Sequence, residues 1–142
     1  MKTCSNCGLS QATDEFHKSS RYSDGLQKWC KSCANIHGAY RMRRKLAIQN
    51  GVNFDLTFKQ YFQIRSNTKC CPITGEEFRL HGFGNGQDSA TLDRIDPNKG
   101  YEMGNVAFLS RKANSIKNCL KTSEEAETIF NNILEYMKSH GR

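Results

Sequence analysis

The sequence has no run of 18 apolar residues, so no stretch of it reads as a membrane-spanning helix. Its opening residues, Met-Lys-Thr-Cys-Ser-Asn-Cys, lack the apolar stretch of a secretory signal peptide. These two absences set the expectation of a cytoplasmic protein with no membrane partner. Thiols in that compartment are reduced by default, so the seven cysteines need a use other than disulfides. There is no internal repeat, which excludes a repeat array, and no low-complexity segment. Acidic residues are scarce at the front. Residues 1–50 hold nine Lys/Arg against three Asp/Glu, and residues 51–142 hold twelve against eleven. Nearly all of the net charge of +7 therefore lies in the first third. Such an imbalance suits a polyanion partner bound through that part, or a solvated basic surface.

What is present reads as an α+β chain of one domain or two small ones, divided into residues 1–50 and 51–142. Residues 1–33 have turn and loop character, with two Cys-x-x-Cys pairs and the turn signal Ser23-Asp24-Gly25. The spacing predicts a helix over 34–49, ended by Asn50-Gly51 and carrying Arg41, Arg43, Arg44 and Lys45. A short helix is expected after Thr57, a good N-cap, with Phe58, Tyr61 and Phe62 turned inward. Residues 70–90 are irregular and Gly-rich. Two short strands follow over 89–95 and 104–109, then a helix over 111–119 capped by Ser110. Thr122 and Glu125 form a possible capping box for a last helix. Its stripe of Ile129, Phe130, Ile133, Leu134 and Met137 reads as core.

Cys4-x-x-Cys7 and Cys30-x-x-Cys33 carry the first chemistry. Each turn sets two thiolates on one side of a metal, and two turns complete the tetrahedral sulfur site of structural zinc. A redox pair or free thiols are the alternatives. A segment of this length with so few core-sized side chains needs a metal to fold.

The stretch CSNCGLSQATDEFHKSSRYSDGLQKWCKSCANIHGAYRMRRK resembles the module at the front of phage and bacterial nucleases related to recombination endonuclease VII. The resemblance implies a zinc module followed by a basic helix whose Arg41, Arg43, Arg44 and Lys45 contact DNA phosphates. A second stretch, CPITG through ATLDRIDPNKGYEMGNVAFLSRKANSIKN to TSEE, resembles the phage branch of the HNH endonucleases. That family's fold is ββα-metal: two antiparallel strands, an intervening loop, and a helix crossing them. The strand–loop–strand–helix pattern over 89–119 is consistent with it.

The resemblance implies a metal-dependent DNA endonuclease. Asp93 matches the metal-ligating aspartate, and Asn114 the last residue of the pattern, also a metal ligand. Asn105 matches the middle asparagine, which holds the loop through backbone hydrogen bonds. Mg²⁺ or Mn²⁺ suits these oxygen donors. Arg111 and Lys117 are further candidates for DNA contact. Turn and cap chemistry is the plainer use of Asp93 and Asn114.

Two departures stand out. Relatives of endonuclease VII carry two further cysteine pairs; here those positions are Cys71 with Thr74 and Ser110 with Ala113, so no zinc is expected in this half. Second, the histidine that serves as general base is Arg94, which cannot accept a proton. Arg94 is expected to bind phosphate instead. The base is then Asp96 or the metal's own water, with His81 and Tyr101 as weaker candidates. No base-reading residues can be named, and a homodimer is one route to cutting both strands.

Overall fold

The computed structural model describes residues 1–78 and 90–141; His81 and most of the Gly-rich segment lie outside them. The N-terminal part, expected as loop, forms two small antiparallel hairpins: β1 (Lys2–Thr3) with β2 (Ser10–Gln11), and β3 (Phe16–Lys18) with β4 (Leu26–Cys30). Strands β1, β2 and β3, of two or three residues, are too short to leave an alternating pattern, and the five residues of β4 do not alternate in burial. Helix α1 (Lys31–Gln49) starts directly after β4, so Cys33 sits in its first turn, three residues ahead of the expected start. Helix α2 (Phe58–Asn67) has the full capping box: Thr57 Oγ1 accepts from Gln60 N at 3.3 Å, and Gln60 Oε1 accepts from Thr57 N at 2.9 Å.

The second half is a ββα unit. Strands β5 (Ala90–Arg94) and β6 (Val106–Ser110) pair antiparallel, with Leu92 opposite Phe108 and Asp93 opposite Ala107. Helix α3 (Arg111–Cys119) follows without a break, because Ser110 both ends β6 and caps the helix by accepting from Ala113 N at 3.2 Å. Helix α4 (Ser123–Ser139) is capped by Thr122, but the Glu125 carboxylate accepts from Lys121 N rather than closing a box on the cap residue.

Two buried clusters form. One gathers Cys4, Phe16, Cys30 and Cys33; the other gathers Leu56, Tyr61, Cys71, Phe78, Leu92, Val106, Phe108, Leu109 and Ala113. Aromatic rings run between them. Trp29 stacks on Phe58 at 5.4 Å, Phe58 meets Tyr40 at 5.5 Å, Tyr40 meets Tyr61 edge-on at 5.4 Å, and Tyr61 meets Phe108 at 5.2 Å. Ring pairs of this geometry add about 0.5–1.5 kcal/mol each beyond the area they bury.

The α4 stripe is not core. No residue of α4 is buried, and Ile129, Phe130, Ile133, Leu134 and Met137 are 38–51% exposed. Helical periodicity marks an apolar face; it does not determine that this chain covers it.

Candidate active site

Along β5 the side chains alternate. Leu92 points into the core, and Asp93 points to the opposite face, where α3 lies. The Asp93 side chain is only 12% exposed, and its Oδ2 lies 2.9 Å from Lys117 Nζ on α3. The same ammonium donates to the Arg94 carbonyl at 3.0 Å. Asn114 precedes Lys117 by three positions on α3, hence on the same face one turn away. It is half-buried, and its Oδ1 accepts from Asn118 at 3.5 Å. Asp93 and Lys117 thus meet at the strand end, and Asn114 lies one turn before Lys117 on α3.

The loop from 95 to 105 is tied down by Asn105. This buried side chain accepts from Asp96 N at 2.9 Å and donates to Asp96 O at 3.1 Å and Gly100 O at 2.9 Å. These three bonds join the two ends of the loop. A second tie runs to the α1–α2 connection: Tyr101 N donates to Asn53 O at 2.9 Å, and Asp55 N to Tyr101 O at 2.9 Å. A Cβ at Gly100 would lie 2.6 Å from Asn53 O, so only glycine fits this approach.

Arg94, expected to bind phosphate, is tied on one edge to the loop that follows it. Its Nη1 donates to Pro97 O at 2.7 Å and Lys99 O at 2.9 Å, and the guanidinium lies over the Tyr101 ring at 5.5 Å. It braces the loop from within; the donors on its other edge are not part of that brace. Asp96 accepts from Asn98 N at 2.9 Å through Oδ1, a local turn bond that leaves its second oxygen over. Tyr101 packs between Arg94 and Phe54.

The four N-terminal cysteines converge. Their sulfurs all lie within 4.8 Å of one another, and Cys4, Cys30 and Cys33 are buried. A zinc tetrahedron with bonds of about 2.3 Å sets its sulfurs roughly 3.8 Å apart, so the donor set fits a closed structural site. Burial opposes ionisation of Cys4, but backbone N–H donors from Cys7, Cys30 and Asn6 hold its thiol down to about 6. Burial pushes Cys33 up.

The second half repeats this geometry at Cys71, Thr74, Ser110 and Ala113, the positions that the resemblance had matched to two further cysteine pairs. In the first knuckle Gly8 N donates to Cys4 O at 2.9 Å, Cys4 N donates to Leu9 O at 2.9 Å, and Gly8 has φ +73°. In the second, Gly75 N donates to Cys71 O at 2.8 Å, Cys71 N donates to Glu76 O at 2.8 Å, and Gly75 also has φ +73°. That backbone is the left-handed one that glycine supplies without strain. Cys30 N donates to Cys4 Sγ at 3.2 Å, and Ser110 N to Cys71 Sγ at 3.3 Å. Cys30 and Ser110 are each the N-cap of the following helix, and Cys33 and Ala113 each sit at its third position. Where the first site has four sulfurs, the second has Cys71, Thr74, Ser110 and Ala113, held by hydrogen bonds and apolar packing.

The basic residues of α1 are outward. Arg41, Arg44 and Lys45 are exposed and Arg43 is half-buried, and among the described residues no carboxylate pairs with any of them. Arg111 is exposed at the start of α3.

No family model matches the sequence, and no curated protein matches it. Among solved structures, one of the rare-cutting HNH restriction endonuclease PacI, from work on DNA perturbation by that enzyme, superposes with a TM-score of 0.54. The match covers 99% of each chain at 20% sequence identity. The fold is HNH-like. A strand pair, a pinned loop and a crossing helix form its ββα unit, and at this identity the likeness speaks for the fold alone.

Proposed function

We propose that the chain is a divalent-metal-dependent DNA endonuclease of the HNH type, of the kind carried by phages and related to endonuclease VII. The observation that carries this reading is Asp93: a largely buried carboxylate at the end of β5, paired with Lys117 on α3, the helix that also carries Asn114, and beside a loop pinned by Asn105. The fold shared with an HNH restriction endonuclease supports it. Asp93 and Asn114 would hold Mg²⁺ or Mn²⁺. Bound there, the ion neutralises charge on the scissile phosphate and on the leaving oxygen.

The chain's own residues supply the rest. Asn105 and Arg94 fix the loop that carries Asp96. The Asp96 oxygen left out of the turn bond is the group suited to orient or deprotonate the attacking water. The outer edge of Arg94 faces a phosphate. Arg41, Arg43, Arg44 and Lys45 on α1, with Arg111 on α3, bind the backbone and supply affinity without sequence readout. Cys4, Cys7, Cys30 and Cys33 hold one structural zinc that orders a module spanning 1–50, with the nuclease domain over 51–142. The place of action is the cytoplasm of a bacterial or phage-infected cell, and double-strand cutting calls for a homodimer or successive nicks.

A second reading is favoured by one observation. The position of the usual base holds Arg94, and the candidate metal carboxylate is already paired with Lys117. That arrangement suits a binding protein on the nuclease fold. Supercoiled plasmid incubated with Mg²⁺ or Mn²⁺ separates the two: nicked or linear product supports the nuclease, and salt-dependent binding without product supports the binding protein.

A further inference from the structure

We infer that Lys117 and a divalent cation are alternative partners of Asp93, and that a DNA phosphate decides between them. The inference rests on the reading of Asp93 as a metal ligand. Its observation is the ion pair itself. Lys117 Nζ lies 2.9 Å from Asp93 Oδ2 and 3.0 Å from the Arg94 carbonyl, so the ammonium is held at the strand end by two acceptors. The Asp93 side chain is 12% exposed, too little for water alone to solvate its charge. Among the described residues Lys117 is the cation that compensates it. Arg94 is not a competitor, because its near donors serve Pro97 O and Lys99 O and its face serves Tyr101.

A divalent ion on the same oxygen would stand within a few ångströms of the ammonium. Like charges at that separation, in a partly dry site, repel too strongly to coexist unless an anion joins them. The ammonium therefore leaves as the ion enters. Lysine is suited to this: its charge rides on a flexible four-carbon stem, and the Lys117 side chain is 36% exposed at its present place. A phosphate laid along α3 offers the new partner, with exposed Arg111 and Lys112 on the same helix to receive neighbouring phosphates. DNA then draws Lys117 off Asp93 and opens the carboxylate to metal. By linkage the effect is reciprocal, so metal strengthens DNA binding by the same factor. Without DNA the lysine keeps the site closed, and the nuclease holds no reactive metal until a substrate backbone is in place.

The test is Mn²⁺ binding, followed by electron paramagnetic resonance on the full-length, zinc-loaded protein with and without a short DNA duplex. An Asp93→Asn variant provides the background from metal bound elsewhere or to DNA. The parent should bind Mn²⁺ about tenfold or more tightly with DNA than without, within the usual range of such couplings. Lys117→Met should bind it tightly without DNA and respond little to DNA, and Lys117→Arg should restore the coupling. Equal Mn²⁺ affinity in the parent with and without DNA would overturn the inference, and this comparison needs no variant to fold. If the parent shows no Asp93-dependent Mn²⁺ even with DNA, the metal-site reading itself falls, and the inference with it.

Discussion

Asn105 shows how much one side chain can determine. Its amide closes three hydrogen bonds across the loop, to Asp96 N, Asp96 O and Gly100 O. Removing it leaves partly buried backbone groups without partners, each worth about 1–3 kcal/mol. Asn105→Ala should therefore lower stability by about 2–4 kcal/mol in urea titration with an unchanged m-value. A loss below about 0.5 kcal/mol, the range of an ordinary surface change, would show that the loop does not depend on it. Cys71 makes a pH prediction. Burial raises its thiol, but N–H donors from Ser110 and Thr74 and their hydroxyls pull it from 9.0 down to about 6. A depressed acid contributes stability above its unfolded value that is lost as pH falls through the folded one. Stability should thus decline between pH 9 and pH 6, and Cys71→Ser should flatten that part of the profile. A parent and variant with parallel profiles over this range would contradict the assignment.

At the scale of elements, α1 and α4 have different fates. Helix α1 lends Cys33 to one cluster and Tyr40 to the other, and presents Arg41, Arg44 and Lys45 outward. Neutralising Arg41 and Arg44 together should weaken DNA binding alike for unrelated sequences and reduce the salt slope by roughly two units. An unchanged slope would make this a solvated face. Helix α4 carries an apolar stripe that nothing among the described residues buries. Ile133→Ala should cost under about 0.5 kcal/mol, as exposed positions do, against about 3–5 kcal/mol for Phe108→Ala in the core. A large cost at Ile133 would mean that the stripe is covered in solution. Helix starts were legible because Thr57, Ser110 and Thr122 announce them chemically. The hairpins β1–β2 and β3–β4 were not, since β1, β2 and β3 are too short to carry a period and β4 does not alternate in burial. The burial of the last helix was misread because a pattern of one face cannot report what lies opposite it.

For the whole molecule, the division of labour follows from where cross-links can form. The first cluster is mostly sulfur, with Phe16 as its one large buried side chain, and aromatic rings from Trp29 to Phe108 join it to the larger core. Elemental analysis should find one zinc per chain. A chelator should disorder the front of the molecule before the ββα unit, seen as early loss of amide protection there. Protection unchanged after complete zinc removal would contradict a structural role. The four-cysteine cluster and the ββα order could be read from residues, because cysteine spacing and strand–loop–helix signals are local. The ties of Lys117 to Asp93 and to the Arg94 carbonyl could not, because they depend on where α3 crosses β5. The most direct test of the account is cleavage itself. Supercoiled plasmid with Mg²⁺ or Mn²⁺ should be nicked or linearised by the parent, and Asp93→Ala should abolish product while DNA binding and fold persist. Product formed equally by the Asp93→Ala variant, or none by the parent, would contradict it.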